Sequence, residues 1–154
     1  FDFAGAGQAQ PSMALTETLA APELAAIVIC PSNPFISVDP MLAIPGVRAA
    51  IRSAPVPVVA VSPIVGWQAI KGPAAKMLSE LGLAVSAKGI AEHYGDLIDG
   101  FVLDTCDAAL ADDIHTATLT TQTMMHDTDD QAALANATLE WCAELAYANP
   151  IRSA

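Results

Sequence analysis

Three short apolar runs, Ile27-Val28-Ile29-Cys30, Val58-Val59-Ala60-Val61 and Phe101-Val102-Leu103, constrain this chain more than any other feature. None of them alternates apolar with polar residues. A strand with one wet face alternates, whereas an unbroken apolar run of this length marks a strand covered on both faces, as in a parallel sheet. Each run stops abruptly in polar or turn residues, and helical patterns lie between them: Leu15 to Ala20, Val47 to Ser53, and Pro73 to Leu81. In the last of these Ala74, Met77, Leu78 and Leu81 repeat at helical spacing. Pro73 suits a first helical turn and Gly82 a carboxyl-terminal stop. A final helix is predicted from Thr128 as N-cap, with Asp129 and Asp130 complementing the dipole, through Leu134, Thr138, Trp141, Cys142 and Leu145. Strand and helix in alternation predict an α/β fold, a three-layer sandwich with a mostly parallel sheet, over residues 1–154 as one domain.

The composition agrees with a folded core and narrows the function. At 154 residues, 53% hydrophobic and 15% charged, the chain is too apolar for disorder. Its longest good apolar run, Leu24 to Cys30, is far short of the ~20 residues that cross a bilayer. The net charge of −11 argues against a nucleic-acid partner, because phosphate backbones need a basic surface. That charge is unevenly spread. Residues 92–154 hold Arg152 as their single basic residue against twelve acidic ones, while residues 31–76 hold Arg48, Arg52, Lys71 and Lys76 against Asp39 alone. A small anion could therefore bind there without any basic face for a polymer, and ordinary solvated Lys and Arg are the other reading of the same stretch. Cys30, Cys106 and Cys142 form neither a zinc knuckle nor a disulfide framework, which points to a reducing, cytoplasmic setting. The opening Phe1-Asp2-Phe3 reads as strand-like, without a secretory signal, and suggests a piece whose first half is missing.

In open parallel sheets, ligands settle beyond the carboxyl ends of the strands. Three loops are predicted at that edge: Pro31 to Pro40, Ser62 to Gly72, and Asp104 to Ala108. In the first, two prolines are expected to hold the backbone extended while Ser32, Asn33 and Ser37 offer hydrogen-bonding groups to a phosphate or a base edge; the same residues also make ordinary turns. In the second, Lys71, Gly72 and the amides of the following helix could converge on an anion, although the spacing is not that of a Walker loop. Gly5-Ala6-Gly7 has Gln10 where a dinucleotide fingerprint would place its third glycine. His93, His115 and His126 have no ligand spacing and read as structural or exposed. Asp104 and Asp107 stand where carboxylates hold Mg²⁺ or cap a helix, and capping is the favoured reading.

The stretches Ile27-Val28-Ile29-Cys30-Pro31-Ser32-Asn33-Pro34-Phe35-Ile36-Ser37, Pro40-Met41-Leu42-Ala43-Ile44-Pro45-Gly46-Val47-Arg48, Val59-Ala60-Val61-Ser62-Pro63-Ile64-Val65-Gly66 and Lys71-Gly72-Pro73-Ala74-Ala75-Lys76-Met77 together resemble the 2-phospho-L-lactate transferases of coenzyme F420 biosynthesis. His93-Tyr94-Gly95 and Asp99-Gly100-Phe101-Val102-Leu103-Asp104 fit the same pattern. Asp39 and Trp67 depart from it, each standing where that family usually has glycine. The resemblance covers the second half of a protein about twice as long. It implies a Rossmann-like, usually dimeric enzyme that moves a phospholactyl or phosphoenolpyruvyl group from a guanylyl-linked donor to the deazaflavin alcohol Fo. GMP leaves and Mg²⁺ assists, its ligands lying largely in the other half. By this resemblance Ser32, Asn33, Pro34 and Ser37, with Ser62, Gly66, Lys71 and Gly72 from the neighbouring loop, face the nucleotide; no catalytic residue carries over. A sugar-nucleotide sensor of the related gluconeogenesis-factor type, or a non-catalytic fragment, is the alternative.

Overall fold

The computed structural model describes residues 2–69 and 73–148. Its main sheet has four strands, β1 (Ile27–Ile29), β2 (Val58–Val61), β5 (Gly100–Asp104) and β6 (Ala117–Thr121), every neighbouring pair parallel. Between β2 and β5 the chain also makes a two-stranded antiparallel hairpin, β3 (Ile64–Val65) and β4 (Gln68–Ala69). The three apolar runs are β1, β2 and β5, and β2 and β5 are fully buried as their lack of alternation requires.

Among the described residues six α-helices accompany the strands: α1 (Met13–Ala20), α2 (Asp39–Leu42), α3 (Val47–Arg52), α4 (Ala74–Glu80), α5 (Ala87–Tyr94) and α6 (Thr128–Ala148). The order β1-β2-β5-β6 steps one way across the sheet. Right-handed crossovers must then all fall on one face, and they do. Val58, Ala60, Phe101 and Leu103 share that face with Phe35, Leu78, Ile90 and Tyr94. The opposite face, Val59, Val61 and Val102, is covered by α6 through Leu134, Trp141, Cys142 and Leu145. This is the expected three-layer, Rossmann-like α/β arrangement. No helix among the described residues is long and apolar enough to cross a membrane.

Several expectations need correction. Asp2 and Phe3 lie in no strand, and the segment after them closes into a short 3-10 turn, Ala6–Gln8. The cap of α6 is Asp127, not Thr128: the Asp130 amide donates to Asp127 Oδ1 at 2.9 Å, while Asp130 Oδ2 accepts from the His126 amide just before the cap at 2.8 Å. Gly82 does end α4, in the left-handed conformation at φ +70.

Candidate functional site

The carboxyl edge of the sheet is built from the loops that leave β1, β2 and β5, and because those strands are immediate neighbours the loops emerge side by side. The first is not extended throughout. Asn33 keeps an extended backbone, but its Oδ1 accepts the Phe35 amide at 3.0 Å and starts a π-helical turn, Pro34–Val38. Proline supplies the helical φ and lacks the amide that a first turn would leave unpaired, so Pro34 initiates the turn that it was expected to prevent. Pro34 and Phe35 are buried, Ser32 and Asn33 half-buried, and Ser37 exposed. Asn33 Nδ2 donates to Met77 Sδ at 3.4 Å, tying this loop to α4. A thioether is a weak acceptor, so the amide is readily given up to a better one.

The second loop is the β3–β4 hairpin. Ser62 is fully buried, and its hydroxyl donates to the Ile64 carbonyl at 2.8 Å and accepts the Ile64 amide at 3.2 Å. That hydroxyl shapes the turn from within. At the hairpin tip Gly66 and Trp67 both have positive φ, +56 and +65, as a two-residue type I′ connection demands. Glycine and asparagine suit those positions; tryptophan does not. Left-handed backbone costs a side-chain-bearing residue about 1–2 kcal/mol, and Trp67 remains 61% exposed, so packing returns little. Trp67→Gly is accordingly expected to stabilise the fold by about 0.5–1 kcal/mol after the extra unfolded-state entropy of glycine is subtracted, measured as a higher urea midpoint. Lys71 and Gly72 lie outside the described residues.

The third loop fixes the second. Asp104 caps a 3-10 segment, Thr105–Asp113, by accepting the Cys106 amide at 3.0 Å. Asp107, itself buried, accepts the Gly66 amide at 2.9 Å and so pins the hairpin tip. Burial works to raise the Asp104 carboxyl, but hydrogen bonds from Cys106 and Thr123 outweigh it and hold the pKa at about 2. Cys106 is exposed, yet desolvation first and then Asp104 and Asp107 raise its pKa, which keeps it a thiol and a poor nucleophile.

Capping is thus the observed role of Asp104. Among the described residues no group of three His, Cys, Asp or Glu side chains could hold a metal ion, and Asp104 spends both oxygens on protein donors. With both oxygens committed, Asp104 does not offer a Mg²⁺ ligand.

One pair escaped the sequence reading. His93 Nε2 lies 3.0 Å from both carboxylate oxygens of Asp39, and its ring meets Phe35 edge-on at 4.8 Å between centroids. Asp39 also donates its amide to the Pro34 carbonyl, closing the π-helical turn. The first loop is therefore braced against α5 by a residue that stands where the resembling family has glycine. His93 thus has a carboxylate partner, Asp39, that its isolation in the sequence did not reveal. The neighbouring Tyr94 hydroxyl is pushed up chiefly by burial and further by the Asp39 charge.

The family model described as 2-phospho-L-lactate transferase CofD matches residues 3–142. A phosphoenolpyruvate transferase of Streptomyces griseus is 40% identical over 145 residues, which cover 92% of this chain and 45% of that protein. A 2-phospho-L-lactate transferase of Methanocaldococcus jannaschii is 40% identical over 119 residues, 77% of this chain and 38% of the relative. A phosphoenolpyruvate transferase of Mycobacterium avium is 45% identical over 96 residues, 62% of this chain and 28% of the relative. The chain therefore spans less than half the length of these curated relatives.

Proposed function

The chain belongs to the 2-phospho-L-lactate transferase CofD family, and from that membership we propose that it forms the part of such a transferase that grips a guanylyl diphosphate while a phospholactyl or phosphoenolpyruvyl group passes to the deazaflavin Fo and GMP departs. The observation that supports this reading is the convergence of two braced turns, Pro31–Val38 and Ser62–Gln68, at the ends of the adjacent strands β1 and β2.

Phosphoryl transfer of this kind needs positioning and charge stabilisation more than a protein nucleophile. In the proposed arrangement Ser32, Asn33 Nδ2 and Ser37 donate to the nucleotide or its diphosphate. Pro34, Ser62 and Gly66 hold the shapes of the two turns, and Lys71 and Gly72 add charge and backbone amides from the segment that follows. The terminal ribityl hydroxyl of Fo attacks in line. Mg²⁺ is assigned to carboxylates outside this chain's span, and no step here is routed through it. A cytoplasmic homodimer that contacts neither membrane nor nucleic acid completes the proposal.

Calorimetric titration with GDP tests the binding step. Asn33→Asp keeps the acceptor that caps the π-helical turn but sets a negative charge against the phosphates, and is expected to weaken binding by about 1–3 kcal/mol. Lys88→Ala, remote on α5, leaves it unchanged. Binding of a UDP-sugar with indifference to GDP would overturn the proposal in favour of a sensor. Formation of F420-0 from Fo and the donor, assayed with the whole transferase, tests the transfer itself.

A further inference from the structure

Among the described residues Trp67 is the one non-glycine residue with a positive φ, +65. Its backbone works against its side chain, and glycine would remove the conflict. Burial does not offset the strain, because the side chain is 61% exposed. Stability alone would favour glycine at this position. A strained backbone that stability does not favour is characteristic of ligand clamps, where the conformation serves what is bound.

The tip that carries the indole is held in place. The buried Ser62 hydroxyl bonds to both the amide and the carbonyl of Ile64 at the start of β3, and buried Asp107 accepts the Gly66 amide next to Trp67. Helix α4 lies against both β4 and the π-helical turn, and its Met77 accepts the Asn33 amide. The Trp67 hairpin and the Asn33 turn therefore stand on one common helix. A ligand gripped by the Asn33 turn has the hairpin as its neighbour, and an aromatic ring on a fixed backbone loses little freedom when a flat molecule settles on it.

Gly66 and Gln68, which flank Trp67 on the tip, are exposed and bring no large apolar side chain. The indole is thus a single aromatic at the rim, unlike the broad apolar patch at the centre of a protein interface. We infer that the Trp67 indole is a stacking platform for a planar heteroaromatic ring of a bound small molecule. Stacking accepts any flat π-face, and the proposed reaction offers two, the guanine of the nucleotide and the deazaflavin ring of the acceptor. The inference rests on the nucleotide reading above and goes beyond it, because it gives a ring-binding role to a position at which this chain departs from the pattern it resembles.

Calorimetric titration of the chain with GDP and, separately, with Fo tests this in the wild type and three variants. Trp67→Gly and Trp67→Asn both suit the type I′ tip and lack a ring, so a weaker ligand in them reports a lost contact rather than a lost fold. Each is expected to weaken GDP or Fo at least about fivefold, while Trp67→Phe, which keeps a flat ring, stays within about threefold of the wild type. Weakening confined to GDP assigns the guanine, and weakening confined to Fo assigns the deazaflavin; either supports the inference. Wild-type affinity for both ligands in either ring-less variant, with GDP still bound, overturns the inference and leaves the nucleotide reading standing. So does a Trp67→Phe variant as weak as Trp67→Gly, since the tip would then act without its ring. Failure of the wild type to bind GDP overturns the nucleotide reading, with the Fo titrations then deciding the inference, and failure to bind either ligand overturns both.

Discussion

Asp104→Ala is expected to lower the unfolding free energy by about 3–5 kcal/mol, because each buried donor left without its acceptor costs about 1–3 kcal/mol. Its carboxylate is 3% exposed and accepts from the Cys106 amide, the Thr123 amide at 2.8 Å and the Thr123 hydroxyl at 2.9 Å. Removing it strands the two Thr123 donors in a place that water reaches poorly, and each orphaned group carries its full desolvation cost. The same contacts dictate the response to acid. The folded pKa is about 2 and the ordinary value 3.8, so the bonded carboxylate contributes stability that is complete above about pH 4 and lost as pH falls through 2. Its size follows from linkage, about 2.5 kcal/mol. Urea unfolding at a series of pH values between 2 and 6 checks both statements. Asp104→Asn should flatten the pH dependence over that window relative to the wild type; an unaltered slope would show that other carboxylates carry it.

Gly89→Ala is the second large effect. Alanine favours helix interiors over glycine by about 1 kcal/mol, and a substitution inside α5 would ordinarily stabilise. Here a Cβ would collide with the Ala84 carbonyl, a backbone group with no rotamer through which to yield. The Gly89 amide is also bonded to the Ser86 cap at 3.1 Å, which holds that first turn in place. Overpacking of about 3 kcal/mol or more outweighs the helical gain, for a net loss of about 2 kcal/mol. Gly7→Ala, where nothing lies within 4 Å, serves as the control and is expected to be nearly neutral. Equal urea midpoints for the two variants would refute the steric account.

How much of this could be read beforehand depended on whether a residue acts locally or through a distant partner. Strands β1, β2 and β5 were legible because burial on both faces leaves an unmistakable apolar run, and α3, α4 and α6 because their apolar positions recur at helical spacing. Strand β6 was not. Ala117–Thr121 is an edge strand with exposed and half-buried residues, and its threonines carry β propensity without a buried pattern. Helix α5 was hidden by Gly89 and by the charged residues along its exposed face. The β3–β4 hairpin was hidden by Trp67, which occupies the place where asparagine or glycine would have announced a type I′ turn. At the site, the proximity of the Ser32 and Ser62 loops follows from strand adjacency and was foreseeable. The inward turn of the Ser62 hydroxyl, the Asp107 bond to Gly66 and the Asp39–His93 brace join residues far apart in the chain, and no local spacing encodes them.

The order β1-β2-β5-β6 repeats the order in which the strands are synthesised. Each new strand therefore meets an already formed neighbour, and the main sheet can lengthen as the polypeptide leaves the ribosome, with no earlier strand waiting for a later one to be inserted beside it. Only α6 must turn back across finished strands, shielding Val59, Val61 and Val102 in a closing step. Until then Val59, Val61 and Val102 lack the α6 side chains that cover them.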